Sequence, residues 1–113
     1  MSRAPELTRK LVLEAPLETE DGAGGRRRVW QELGVLWAEV DGRSGREVRG
    51  VAGALSRARY KITVRAVPEG HSGRPAAGQR FREGSRTFDI LAVTERDAAA
   101  RFLICHAEEE LAT

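Results

Sequence analysis

Cysteine occurs once in this chain, at Cys105, so no intrachain disulfide can form and a thiolate metal cluster would need several chains. Histidine is nearly as scarce, with only His71 and His106, whereas a zinc site needs at least three ligands. His71 reads as an exposed loop residue, and His106 as a strand residue sharing a face with Glu108. No apolar run approaches the ~20 residues that cross a bilayer. Met1–Glu6 lacks the apolar centre of a signal peptide, so the expectation is a chain that starts in the cytoplasm, away from membranes. The glycines of Gly22–Gly25 lack the lysine and following helix of a phosphate loop. No grouping of nucleophile, base and orienting residue stands out. Repeats and low-complexity tails are absent too. The reading is therefore a non-enzyme with no metal and no cofactor.

What is present is one domain, residues 1–113, with a 41% hydrophobic fraction that suits a modest core. Cys105 lies in Phe102-Leu103-Ile104-Cys105 and reads as a small buried hydrophobe. Net charge is only +2, but it is unevenly spread. Arg43, Arg46, Arg49, Arg57, Arg59, Lys61 and Arg65 face Glu47 alone, and Glu108-Glu109-Glu110 follows near the C-terminus. Separate basic and acidic surfaces suit head-to-tail self-association.

Strand signals dominate. Lys10–Glu14 alternates, and Pro16 is expected to end it. Leu17–Arg28 reads as a polar loop, then Val29–Leu33 and Val35–Val40 as two strands separated by Gly34. Leu36, Ala38 and Val40 share a face. The clearest alternation is Arg57–Ala66, which turns Tyr60, Ile62 and Val64 to the core and Arg57, Arg59, Lys61 and Arg65 away from it. Ser44–Ser56 admits a short helix or a loop, because Val48, Val51, Ala52 and Leu55 have helical spacing while Gly50 and Gly53 oppose it. Pro68–Gly78 is a loop. Gln79–Arg82, Arg86–Glu95 and Ala100–Glu108 complete the set, the last two apolar on both faces. Met1–Glu6 and Glu109–Thr113 are expected to fray. About seven short strands with turn-rich connections indicate an all-β sandwich or small barrel.

Small barrels also bind single-stranded nucleic acid by stacking bases on aromatics in a basic groove. The row Arg57, Arg59, Lys61, Arg65 supplies cations, yet Tyr60 points the other way, and Trp30 and Trp37 are expected in the core. A nucleic-acid-binding module is thus the alternative reading.

Several motifs occur in an order that carries a resemblance. They are Trp30, then Trp37-Ala38-Glu39-Val40, Gly45-Arg46-Glu47, Ile62-Thr63-Val64-Arg65 and Ser85-Arg86-Thr87-Phe88-Asp89-Ile90, closed by Leu103-Ile104-Cys105-His106-Ala107-Glu108. Together these resemble the head-tail joining (head-closure or stopper) proteins of tailed phages. The stretch Phe81–Val93 looks particularly like members from the gene transfer agents of alphaproteobacteria.

The resemblance implies an all-β small barrel of six to seven strands with at most one short helix. It implies a homo-oligomeric ring in the neck of a phage or gene transfer agent particle, assembled in the bacterial cytoplasm. The partners would be portal or adaptor proteins on one side and a tail terminator or tail protein on the other, with non-specific contact to packaged double-stranded DNA. A loop reaching into the channel is implied as well. Arg43, Arg46, Arg49, Gly50 and Gly53 are its first candidates, and Arg26, Arg27 and Arg28 mark the second loop. Arg57, Arg59, Lys61 and Arg65 would form an inter-subunit or DNA-facing surface.

Overall fold

The computed structural model describes residues 3–48 and 55–112. Alternating apolar side chains, not helical spacing, organise it: six strands and, among the described residues, no helix. These are β1 (Arg9–Glu20), β2 (Arg26–Val48), β3 (Leu55–Arg65), β4 (Arg80–Glu83), β5 (Arg86–Glu95) and β6 (Phe102–Ala112). All pairings are antiparallel, and the sheet closes on itself in the order β1-β2-β3-β6-β5-β4. Closure removes most of the open edges that a flat sheet this small would expose.

The inward residues of each strand fill the interior. Leu11 and Leu13, Ala38, Ile62 and Val64, Phe81, Phe88 and Ile90, and Leu103, Cys105 and Ala107 form one continuous core. Tyr60 packs against it edge-on to Phe88, with ring centroids 5.1 Å apart. Cys105 is the small buried hydrophobe expected, and burial pushes its thiol up to about 12.

Several expectations are corrected. Val29–Leu33 and Val35–Val40 belong to one strand, since β2 runs unbroken through Gly34. Its 23 residues would span about 75 Å if straight, yet the longest dimension is 53 Å, so the strand must coil. Register shifts at Leu13/Glu14 and between Gly42 and Gly45 mark where it yields. Pro16 does not end β1, which pairs on to Glu20. β4 flanks β1 only at Val12–Glu14, so the far edge at Pro16 is open, and an open edge tolerates proline.

No helix forms in the described part of Ser44–Ser56: β2 reaches Val48 and β3 begins at Leu55. Residues 49–54, including Arg49, Gly50 and Gly53, lie outside the described residues. The C-terminal segment does not fray at Glu109 either, because β6 pairs with β3 as far as Ala112.

Two extensions leave the barrel at opposite ends of β2. One is a two-stranded ribbon, Ala15–Glu20 against Arg26–Gln31. The other is a three-stranded blade in which β2, β3 and β6 continue past the last β5 pairing at Asp89↔Glu108.

Candidate functional site

The inward side chains at the blade end of the barrel change from apolar to ionic. Arg86 follows the Glu83-Gly84-Ser85 turn, where Gly84 takes a positive φ of 63°. Its Nε and Nη2 donate to the two carboxylate oxygens of Glu109, at 2.8 and 3.0 Å. The Tyr60 hydroxyl donates to the same carboxylate at 2.9 Å, and Arg9 forks onto Glu83 at 2.7 and 2.6 Å. Glu109 is only 4% exposed, and hydrogen bonding from Arg86 holds its carboxyl below the usual range. Arg9 does the same for Glu83. Burial, reinforced by the bond to Glu109, raises Tyr60. This network closes the mouth of the barrel as a satisfied polar plug.

A second ionic feature runs round the outside. Register places Arg59 opposite Glu108, Glu108 opposite Asp89, Asp89 opposite Arg80, Arg80 opposite Glu14 and Glu14 opposite Glu32. One residue of each strand thus contributes to a row of charge that winds round the wall without closing, since Arg59 meets β2 between Gly42 and Gly45, well away from Glu32. Its tightest knot is Glu14, 6% exposed, which accepts from Arg80 at 2.8 Å and Arg82 at 2.9 Å. Burial pushes the Glu14 carboxyl up, but the two arginines outweigh it and hold it low. Arg80 also stacks 4.0 Å over Trp30, so that tryptophan is half-buried on the surface and outside the core cluster.

The structure spreads the candidate cations apart. Arg57 and Arg59 lie on β3 beside the acidic strand, 4.0 Å from Glu110 and 3.6 Å from Glu108. The basic face and the acidic end are therefore neighbours within one chain, and they partly neutralise each other there. Lys61 sits opposite His106 and, among the described residues, has no carboxylate within 4.0 Å. His106 itself lies 3.3 Å from the Thr94 hydroxyl. Arg65 stacks over Phe102 at 5.6 Å. Arg43 pairs with Asp41 at 3.4 Å, and the backbone of Arg46 pairs with that of Arg57 in the blade. Arg26, Arg27 and Arg28 are exposed on the ribbon, where Arg26 reaches Glu18 at 3.4 Å.

Trp37 was expected in the core; it is instead 55% exposed on the outer wall. The strand alternation that turns Leu36 and Ala38 toward the core leaves Val35 and Trp37 outside, a parity already legible in the sequence. Glu39, two residues on, accepts from the Glu6 backbone N–H at 2.9 Å and from Arg3 at 3.0 Å, pinning the N-terminal segment to the wall. The Glu6 bond lowers the Glu39 carboxyl. Among the described residues no three metal-ligating side chains converge.

No curated protein matches the chain. A solved structure described as the virion of a native gene transfer agent particle contains a chain that is 48% identical. The match covers 97% of this chain and 100% of that one, with a TM-score of 0.86. The phage head completion family matches residues 2–110, and the chain belongs to that family of structural head-tail joining proteins.

Proposed function

We propose that copies of this chain close into a ring between the portal-adaptor complex and the tail, where they retain packaged DNA and present the tail's docking surface. The supporting observation is the end-to-end match to a gene transfer agent virion chain. In this reading the protein works by assembly, with no covalent step, and its place is the neck of the particle. Ring formation requires a heterologous interface whose rotation closes.

The β2–β3 hairpin is the channel element. It projects from the barrel in the blade and carries Arg43, Arg46 and Arg57, and the sequence joining its two strands includes Arg49, Gly50 and Gly53. Arginines there meet DNA phosphates without reading sequence. The ribbon ending in Arg26, Arg27 and Arg28 is the second choice.

Light scattering of the purified chain, alone and with cognate head and tail connector proteins, tests the ring. Assembly with those partners is the expected result. A chain that stays monomeric with every partner, and binds DNA weakly with a steep salt dependence, supports the nucleic-acid module instead. For the channel element, shortening the β2–β3 hairpin should release DNA from filled heads. Particles that keep their DNA and join tails would assign the gate elsewhere.

A further inference from the structure

Among the described residues, the three large apolar side chains most exposed to solvent lie on two walls of the barrel. Trp37 (55% exposed) and Val35 (47%) face outward on β2, and Leu91 (50%) faces outward on β5. In the cyclic order β1-β2-β3-β6-β5-β4, β2 and β5 are three strands apart in either direction, so these walls are diametrically opposed. The two patches also differ in shape. Trp37 stands proud beside a shallow cleft lined by Leu7, Val35, Ala66 and Val67. Leu91 is the unpaired residue of the β5 bulge and borders a cleft of about 550 Å³ that Ile104, Thr94, His106, Lys61 and Arg59 also line.

Beside each patch stands an exposed charge without an ion-pair partner among the described residues, and these two, Lys10 and Asp89, are opposite in sign. Lys10 is the cross-strand partner of Trp37, is exposed, and among the described residues has no carboxylate within 4.0 Å. Asp89 lies two residues before Leu91, is exposed, and among the described residues has no cation within 4.0 Å. Its cross-strand neighbour Arg80 is drawn away to Glu14 and Trp30.

Resting on the ring reading, we propose that these walls are the two halves of the contact between successive copies. Trp37 of one copy enters the cleft beside Leu91 of the next, and Lys10 meets Asp89. Different patches on opposite walls give a head-to-tail contact, which generates a ring when its rotation closes. A tryptophan seated in a pocket is among the side chains enriched where a few residues dominate an interface. The cations of the cleft suit its ring face as well. The exposed apolar side chains Trp37, Val35 and Leu91 favour a protein neighbour over duplex DNA, whose interfaces are polar and phosphate-dominated.

The chain's two lysines, Lys10 and Lys61, make the test specific. Assembled particles are treated with a water-soluble carbodiimide, which joins lysine amines to carboxylates in direct contact with loss of water. The digests are then sequenced by mass spectrometry. The expected product is a Lys10–Asp89 link that gives a ladder of chain multimers on denaturing gels. A ladder joined through Lys61, or through Lys10 to a different carboxylate, overturns this contact and leaves the ring standing. Particles in which no two copies are joined by carbodiimide or by a long amine-reactive linker remove both.

Variants give a second readout. Trp37→Ala should lower the copies incorporated per particle roughly tenfold or more, while the soluble chain melts as before. Lys10→Glu should also impair incorporation, and Lys10→Glu with Asp89→Lys should restore it. Full incorporation of Trp37→Ala, or no rescue by the double swap, overturns the contact.

Discussion

Two regions of this barrel are built from the same residue types and behave differently. At the blade-end mouth, Arg86 grips Glu109 with two bonds at 2.8 and 3.0 Å, and Tyr60 completes the carboxylate's shell. On the outer wall, Arg59 and Arg57 reach Glu108 and Glu110 at 3.6 and 4.0 Å, and the Glu110 carboxylate is half exposed where that of Glu109 is buried. The acidic partners are consecutive, Glu108-Glu109-Glu110, so the strand's two-residue period alone sends the middle one inside. Charge content therefore says little about role here. Which face a charge occupies decides whether it seals the fold or remains available to a neighbour.

The contrast can be broken most forcefully at Arg86. Arg86→Ala leaves Glu109 buried with only the Tyr60 hydroxyl, and should destabilise the chain by about 3 kcal/mol, a fall in Tm on the order of 10 °C. Chemical denaturation measures it. A loss below about 1 kcal/mol would mean that the mouth is as weakly coupled as the surface.

Acid should separate the regions next. The carboxyls of Glu109, Glu83 and Glu14 are held low in the fold, so their contribution is present above the unfolded value of about 4.3 and is lost as pH falls through their lower folded values. Stability should therefore drop steeply below about pH 4. Glu109→Gln should flatten that limb.

A smaller effect is expected for Tyr60→Phe, which removes one hydrogen bond to Glu109 but keeps the edge-on contact with Phe88. It should cost about 1 kcal/mol. Smallest of all, Arg59→Ala should change stability by roughly 0.5 kcal/mol or less. If Arg59→Ala proved as damaging as Arg86→Ala, the division into sealing and available charge would fail.

Much of the fold was legible in the residues. The alternation in Arg57–Ala66 and Leu36–Val40 correctly assigned the inward set, because a period of two leaves a half-buried strand no other solution. Less legible were the joins. Gly34 and Pro16 read as breaks, yet one strand passes through each, since a bulge and an open edge remove the penalty. The surfaces were harder still. As an aromatic in so small a barrel Trp37 reads as core, although its own parity places it outside.

By itself the sequence determined the all-β class, the inward faces of the strands, the buried cysteine and, through its ordered motifs, the family. Those are local properties: a period of two and a set of turns are written in consecutive residues. Tertiary structure alone decided that Glu109 meets Arg86, that six charges from six strands line up in one row, and that Trp37 and Leu91 stand on opposite walls. Each depends on strand order and register, and those are set by how the sheet closes over its core, a condition that no single stretch of chain contains.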